Sequence, residues 1–324
     1  MTETTLIHLW NNCNICGMSP ITGPRYECQT CPLGPDADFC ATCHGKIESG
    51  ALVHPDPSNH HAPEIKGPHS FKVYAGTPLQ DTQSWLEVPL PTTSGPTIRN
   101  GFVMRPEFCS GYESTFAGYS FATLHPHTQK PILLTALHVM DEMLRKKKVD
   151  ATPENPNYNG NELPAHITAV NLYDIFAANW MVSQVGKADR MLCLPGARIK
   201  DEEPYSNRDI AAFHISNSQG MAPAPLAAKT PEVGTAIWQV ASFGRGHQQR
   251  TFKAVVVCAE PDRFIWRYEE EQDGPAYTSG TAIVNAAGEV VGINVGGGKL
   301  DGKRFGHGNN INSIRKHLTT NIQH

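Results

Sequence analysis

Three polar residues with complementary chemistry stand at the ends of apolar runs in the sequence. His138 follows PILLTAL, Asp209 precedes IAAFHI, and Ser279 lies two residues before TAIVNA. A serine hydroxyl becomes a useful nucleophile when a histidine takes its proton, and a buried carboxylate holds that histidine in the required tautomer. The order His, Asp, Ser therefore indicates acyl-transfer chemistry. Three other acidic residues lack the strand pattern that follows Asp209: Asp174, Asp189 and Asp201.

The N-terminal part of the chain is dense in cysteine. Of nine cysteines, six form three CxxC pairs within the first 43 residues. Each pair places two sulfurs on one tight turn and supplies half of a tetrahedral zinc site. The remaining cysteines are scattered, a distribution that favours metal binding and reduced thiols over a disulfide framework. Further candidate ligands follow the pairs: His54, His60, His61 and His69.

The motifs around the three polar residues resemble those of trypsin-like serine proteases, in particular the HtrA type. LTALHV is similar to the family's general-base motif, and RDIAAFHI is similar to the strand start that carries its aspartate. TSGTAIVNAAGEVVGI is similar to the nucleophile loop and the next hairpin. The resemblance spans about residues 101 to 321. It implies two antiparallel six-stranded β-barrels, with His138, Asp209 and Ser279 as the catalytic triad in the cleft between them.

The same resemblance implies residues that contact substrate. Asp273, six positions before the nucleophile, would form the floor of the pocket for the residue preceding the cut and favour Lys or Arg there. Gly296 would belong to a facing wall with almost no side chains, and Tyr277 in the nucleophile loop would also contact substrate.

Two positions depart from the family pattern. Tyr277 replaces the usual glycine two residues before Ser279, and a side chain there costs about 1–3 kcal/mol in the backbone conformation that an oxyanion hole requires. We therefore expect a hole that forms when substrate or a partner orders the loop. Thr278 replaces the acidic residue that pairs with a newly cut N-terminus in secreted trypsins, so activation by N-terminal cleavage is not expected.

The run PITGPRYECQTCPLGPDADFCATCHGK resembles the ZZ-type zinc finger. The cross-braced ligation of that family implies two zinc ions. One ion would be held by Cys13, Cys16, Cys40 and Cys43. The other would be held by Cys28, Cys31, His54 and His69, and either histidine could be replaced by His60 or His61.

The ZZ resemblance covers about the first 75 residues and also implies a role. Such a module recognises protein termini or short peptide motifs. Asp36 and Asp38 would suit a positively charged peptide N-terminus.

Changes in composition divide the chain into three parts. We assign residues 1–75 to the zinc finger, 76–100 to a linker or surface arm rich in Pro, Gly, Ser and Thr, and 101–324 to the protease domain. The last part has short β-like runs with turn punctuation, typical of an all-β barrel or sandwich. Two segments are predicted helices, HVMDEMLRKKK and NSIRKHLTTNI, the second with Asn312 or Ser313 as its N-cap.

Composition narrows the function further. A net charge of −4 provides no broad basic field for nucleic acid. No apolar run reaches the roughly 20 residues that span a bilayer, and the first residues lack a signal-peptide pattern, which predicts a cytoplasmic protein. We therefore expect a serine endopeptidase that cleaves proteins or peptides, with the zinc finger for recognition. The alternative is a pseudoprotease scaffold whose finger mediates protein interaction. An ester hydrolase is disfavoured because the chain has no GxSxG elbow in a βαβ setting.

Overall fold

The computed structural model of the chain describes residues 6–29, 37–52, 69–111, 113–140, 167–174, 184–192, 194, 208–241, 250–269 and 278–319. Its internal contacts divide the chain into two compact units. The first comprises Met1–Glu87 with Gly297–Phe305, and the second comprises Val88–Gly296 with Gly306–His324. None of the described helices has the length and apolar character needed to cross a membrane.

The first unit is built from short strands and two helices. Strands β1 (Leu6–His8), β2 (Ile21–Thr22) and β6 (Thr77–Pro78) form one sheet, and β3 (Arg25–Cys28), β4 (Asp38–Cys40) and β5 (Phe71–Tyr74) form another. Helices α1 (Ala41–Glu48) and α2 (Leu79–Glu87) follow β4 and β6. Cysteine sulfurs, Ile21 and Phe39 make up a small buried core. So small an apolar core is typical of modules whose stability depends on metal.

Helix α2 lies where the composition predicted a linker. Within Leu79–Glu87, Thr82 is fully buried and the Trp85 ring lies 6.1 Å from that of Phe305. The two contacting residues are spaced three apart, which places them on one helical face. The flanking Pro and Gly residues hid this short periodicity.

The first barrel of the second unit closes through six strands. The ring runs through β7 (Val103–Ser110), β9 (Ser120–Leu124), β10 (Pro131–Thr135), β13 (Ala211–Asn217), β12 (Gln184–Leu192) and β11 (Ala169–Asp174), and β11 pairs back to β7. Strand β8 (Glu113–Phe116) adds to the far half of β7. Pro106 lies between the residues of β7 that pair with β9 and those that pair with β8, where the missing N–H costs little.

The second barrel is also closed and six-stranded. Its strand order is β14 (Ala236–Ala241), β15 (Arg250–Ala259), β16 (Arg263–Tyr268), β19 (Lys303–Asn310), β18 (Val290–Leu300) and β17 (Ala282–Val284). The two barrels confirm the mainly β, double-barrel fold that the protease resemblance implied.

Helix α3 (Ile311–Thr319) follows the second barrel, as predicted. Its N-cap is Asn310, whose side-chain oxygen accepts the backbone N–H groups of Asn312 and Ser313. The predicted caps were therefore wrong by two or three residues. The predicted helix after His138 lies largely outside the described residues, which contain a 3-10 turn at Leu137–Met140.

Candidate active site and metal centre

His138 and Asp209 meet where two paired strands of the first barrel end. Thr135, the last residue of β10, pairs with Ala211, the first of β13. His138 and Asp209 lie just beyond that pair and face each other. The Nδ1 of His138 is 2.7 Å from one carboxylate oxygen of Asp209, and the His138 backbone N–H donates to the other at 2.9 Å. Asp209 is buried, and the histidine side chain keeps 30% of its surface exposed.

A second histidine–aspartate pair occurs on the same barrel with different surroundings. His214 Nδ1 lies 2.9 Å from Asp189, but these side chains are 46% and 47% exposed. The imidazole hydrogen bond to Asp189 lowers the pKa of that carboxyl. Asp189, an alternative acid on sequence grounds, is thus a solvent-exposed partner of another histidine. The buried carboxylate beside His138 is Asp209.

The turn that carries Ser279 contacts Gly118 and Tyr119, which lie just before β9. Tyr119 donates its backbone N–H to the Ser279 carbonyl at 2.9 Å, and the Tyr119 carbonyl accepts the hydroxyl of Thr135 at 2.6 Å. A Cβ added to Gly118 would contact both Val139 and the Ser279 carbonyl. The serine turn and the residues flanking His138 therefore pack around the same short segment, Gly118 and Tyr119.

Gly280 is required by this packing for two reasons. Its φ is +85°, and a Cβ there would lie 2.1 Å from the Tyr119 carbonyl oxygen and 2.4 Å from the Thr135 hydroxyl. Gly280→Ala is expected to lower the free energy of unfolding by about 2–4 kcal/mol, from backbone strain plus overpacking. Urea denaturation measures this.

Gly288 provides the matched control for that change. Its φ is +80°, but the nearest atom to an added Cβ is 3.7 Å away. Gly288→Ala should therefore show only the strain, about 1 kcal/mol. An equal loss of unfolding free energy in the two variants would contradict the close packing of Gly280 against Tyr119 and Thr135.

The Ser279 hydroxyl donates to the backbone carbonyl of Val295 at 3.2 Å. Val295 lies on β18 next to Gly296, and the space that a Cβ of Gly296 would occupy is filled by His307, with its Nε2 at 2.7 Å. Gly296 is thus packed against a ring on that side. The other predicted substrate-contacting residues, Asp273 and Tyr277, lie outside the described residues.

Some residues of this site had no signal in the sequence. Asn309 is fully buried and donates its amide to the backbone carbonyl of Asp209 at 2.8 Å. Tyr119 acts through its backbone, which no side-chain motif reveals. Around Ser279, Gln239 and Asn294 donate hydrogen bonds to Thr278. These contacts join residues that are far apart in sequence.

In the first unit, the sulfurs of one predicted ligand set converge. Those of Cys13, Cys16, Cys40 and Cys43 all lie within 4.8 Å of one another, and the Cys16 and Cys40 sulfurs are 3.9 Å apart. Zn–S bonds of 2.3 Å in a tetrahedron separate neighbouring sulfurs by about 3.8 Å. The four cysteines therefore fit a structural zinc ion.

Burial and mutual contact oppose simultaneous ionisation of the four clustered thiols. Burial raises the pKa of Cys40, and burial together with hydrogen bonding to neighbouring thiols raises that of Cys43 to about 12. Burial also opposes ionisation of Cys13, but backbone N–H donors, led by that of Cys16, lower its pKa to about 7. Four clustered thiolates need a positive charge between them, which Zn²⁺ supplies.

The second predicted ligand set is described in part. The Cys28 sulfur lies 3.5 Å from the Nδ1 of His69. Cys31 and His54 lie outside the described residues, as do the alternatives His60 and His61.

Asp38 forms an ion pair and a hydrogen bond within the first unit. It is buried, with one carboxylate oxygen 2.6 Å from Arg25 and the other accepting the Asn11 amide at 2.5 Å. Arg25 also lies 3.9 Å from the centre of the Tyr74 ring. Asp38 therefore braces the module, and each of its carboxylate oxygens already accepts one hydrogen bond. Asp36 lies outside the described residues.

The chain was compared with solved structures, curated proteins and family models, and matches were found among the structures and the family models. A search of curated proteins found no significant relative of the chain. Among solved structures, the chain is similar to the M. tuberculosis protease Rv3671c in its active form, at 14% identity and a TM-score of 0.44, over 80% of this chain and 95% of that one. It is similar to a Glu endopeptidase in complex with MPD, at 13% identity and a TM-score of 0.44, over 71% and 94%. It is also similar to the scabies mite inactivated protease paralogue S-I1, at 14% identity and a TM-score of 0.43, over 70% and 98%.

The family comparison concerns the N-terminal part. Residues 7–50 match the family model described as zinc finger, ZZ type. The match contains all four clustered cysteines and the brace formed by Arg25 and Asp38. This chain therefore carries a ZZ-type zinc finger ahead of its double β-barrel.

Proposed function

We propose that the chain is a serine endopeptidase in which Ser279 is the nucleophile, His138 the general base and Asp209 the residue that orients the base. The observation that carries the proposal is the two-point contact between Asp209 and His138. A buried carboxylate accepts hydrogen bonds from both the ring and the backbone of one partly exposed histidine. The serine turn rests on the segment that also supports that histidine's strand.

In this mechanism the Asp209 contact keeps the His138 proton on Nδ1 and makes Nε2 the nitrogen that accepts a proton. Ser279 Oγ attacks the carbonyl carbon of the scissile peptide bond while Nε2 takes its proton, and Asp209 stabilises the resulting imidazolium. The same proton then passes to the leaving amine, and the acyl group remains on Ser279. Water, deprotonated by His138, releases the acyl group and restores the enzyme. The backbone N–H of Ser279 is one candidate donor to the oxyanion.

The proposed substrates are proteins or peptides. We propose the cytoplasm as the location, because none of the described cysteines belongs to a disulfide. A basic residue before the cut remains our proposal, through Asp273. The test is mass spectrometry of the products from a defined peptide library. Cleavage at a consistent subset of bonds supports the proposal, and an intact library would count against it.

A pseudoprotease scaffold is the second candidate, and one observation favours it. The single proton of the Ser279 hydroxyl is directed at the Val295 carbonyl, so the side chain must rotate before it can donate to His138. In an enzyme this is a resting conformation. In a pseudoprotease it would be permanent, and the serine would not react with acylating probes.

We also propose that the finger holds two zinc ions. The second set is supported by the Cys28–His69 separation of 3.5 Å, since a sulfur and a nitrogen on one tetrahedral zinc are about 3.6 Å apart. Elemental analysis of purified protein should give close to two zinc ions per chain, and one ion after Cys28→Ser. Cys258→Ser, which changes a thiol in the second barrel, should leave the count unchanged. One zinc ion per wild-type chain would remove the second site.

We propose that this finger binds a protein partner or a substrate segment. Binding of a positively charged peptide N-terminus by Asp36 and Asp38 stays part of this proposal, with Asp38 buried and hydrogen-bonded to Arg25 and Asn11.

A further inference from the structure

Buried hydrogen bonds in the second barrel hold residues on both sides of Ser279 in the sequence. Gln239, on β14, is fully buried, and its amide nitrogen donates to the hydroxyls of Thr278 at 2.8 Å and Thr281 at 2.6 Å. Thr278 immediately precedes Ser279, and Thr281 is the second residue after it. One side chain therefore holds both ends of the turn.

Two further side chains complete this arrangement. The Tyr268 hydroxyl donates to the Gln239 side-chain oxygen, which leaves the amide nitrogen directed at the two threonines. Asn294 donates its amide to the Thr278 carbonyl at 3.1 Å and to its hydroxyl at 3.3 Å. We call these buried residues the amide clamp: Gln239, Tyr268, Thr278, Thr281 and Asn294.

The backbone continues the same connections. Gly280 donates its N–H to the Asn294 carbonyl at 2.8 Å, and Asn294 donates its own N–H to the Thr281 carbonyl at 2.9 Å. Thr281 closes the turn with its hydroxyl and its N–H, both directed at the Thr278 carbonyl, at 2.9 and 3.1 Å. Ser279 is thus the middle of a turn in which Thr278, Gly280 and Thr281 are all held by hydrogen bonds.

Burying these polar side chains costs free energy, so stability alone does not explain them. Gln239 shares one face of β14 with the buried apolar residues Ile237 and Ala241, where an aliphatic side chain would need no polar partner. Replacing a whole buried hydrogen-bonded set with apolar groups is often nearly neutral in stability, whereas a polar set fixes one geometry. The geometry fixed here is that of the serine turn.

We propose that the amide clamp positions Ser279 for attack, with Gln239 as its central positioning residue. The proposal rests on the proposed peptidase function. Gln239, Tyr268 and Asn294 are uncharged and belong to the same barrel, so the clamp holds Thr278 without a newly cut N-terminus. This turn therefore needs no proteolytic activation to be held in place.

The test compares Gln239→Met and Tyr268→Phe with the matched control Tyr173→Phe. Tyr173 donates its hydroxyl to Glu107 on the first barrel, so its change removes the same atom far from the turn in sequence and on another barrel. We expect Gln239→Met to lower kcat per titrated active site by about 10²-fold with KM nearly unchanged, because a misplaced nucleophile costs rate rather than binding. Tyr268→Phe should lower kcat about tenfold and Tyr173→Phe should not change it.

The outcomes separate this proposal from the proposed function. If wild type turns over and both clamp variants keep its kcat per active site, positioning by the clamp is wrong and the peptidase stands. If Gln239→Met does not fold, the kcat of Tyr268→Phe, which removes only one oxygen, tests the positioning role of the clamp. If wild type neither cleaves peptides nor reacts with an acylating probe, the peptidase proposal fails. Hydrogen exchange of the Gly280 and Thr281 amides then tests whether the clamp holds the turn. Faster exchange in the clamp variants than in Tyr173→Phe supports the clamp, and equal exchange overturns it.

Discussion

Ser279→Ala and His138→Ala are each expected to lower kcat for peptide cleavage by at least about 10⁴-fold, and the double variant should lose little more. The reason is that the nucleophile and base act as one unit, so removal of either one ends acyl transfer. The measurement is steady-state hydrolysis of a peptide identified in the library. Neither change should lower the midpoint of thermal unfolding by more than a few degrees.

The matched control for the histidine change is His214→Ala. His214 belongs to a histidine–aspartate pair on the same barrel with a hydrogen bond of 2.9 Å, but it is exposed. Its loss should leave kcat within about twofold of wild type, as for most exposed positions. If His214→Ala were as damaging as His138→Ala, the assignment of the base would be wrong.

Asp209→Asn is expected to lower kcat by about 10⁴-fold while the fold is retained. The asparagine oxygen can still accept the His138 backbone N–H, but its NH₂ group would face Nδ1, where the aspartate oxygen now lies at 2.7 Å. That contact forces the His138 proton onto Nε2, and the base can no longer accept the Ser279 proton. The measurement is kcat at saturating peptide across the pH range of activity.

Asp189→Asn is the matched change for Asp209→Asn, because it alters the exposed pair in the same way. We expect its kcat to equal that of wild type. Near-full turnover of Asp209→Asn would show that another acid orients His138 or that none is needed.

Much of the double barrel could be predicted because its strands carry apolar runs. The runs in β10, β14 and β17 are almost entirely buried, and those in β13 and β15 are buried in part. Strands β7 and β12 carry no such run, because polar and charged residues alternate with apolar ones along them, and β7 contains Pro106. Their burial comes from pairing inside the closed first barrel, which local composition does not express.

The candidate site divides in the same way. His138, Asp209 and Ser279 stand at the ends of apolar runs, which is a local signal. Gln239 and Asn294 come from strands far from the serine in sequence, and their role appears only when the second barrel closes.

The run VGGG at residues 295–298 contains three glycines, which on sequence grounds alone predicts a wall with few side chains. In the structure a Cβ on Gly298 would lie 2.0 Å from the Leu9 carbonyl oxygen within the first unit. This glycine allows a close approach of two backbones. That reason for a missing side chain cannot be distinguished from pocket space without the folded chain.

The central claim is that Ser279 is an activated nucleophile, and a fluorophosphonate probe tests it most directly. The full chain is incubated with the probe, its intact mass is measured, and the labelled peptide is sequenced by mass spectrometry. The account predicts one adduct per chain, located on Ser279, absent from Ser279→Ala and strongly slowed in His138→Ala. A wild-type chain that stays unlabelled, or a label on another residue, would contradict it.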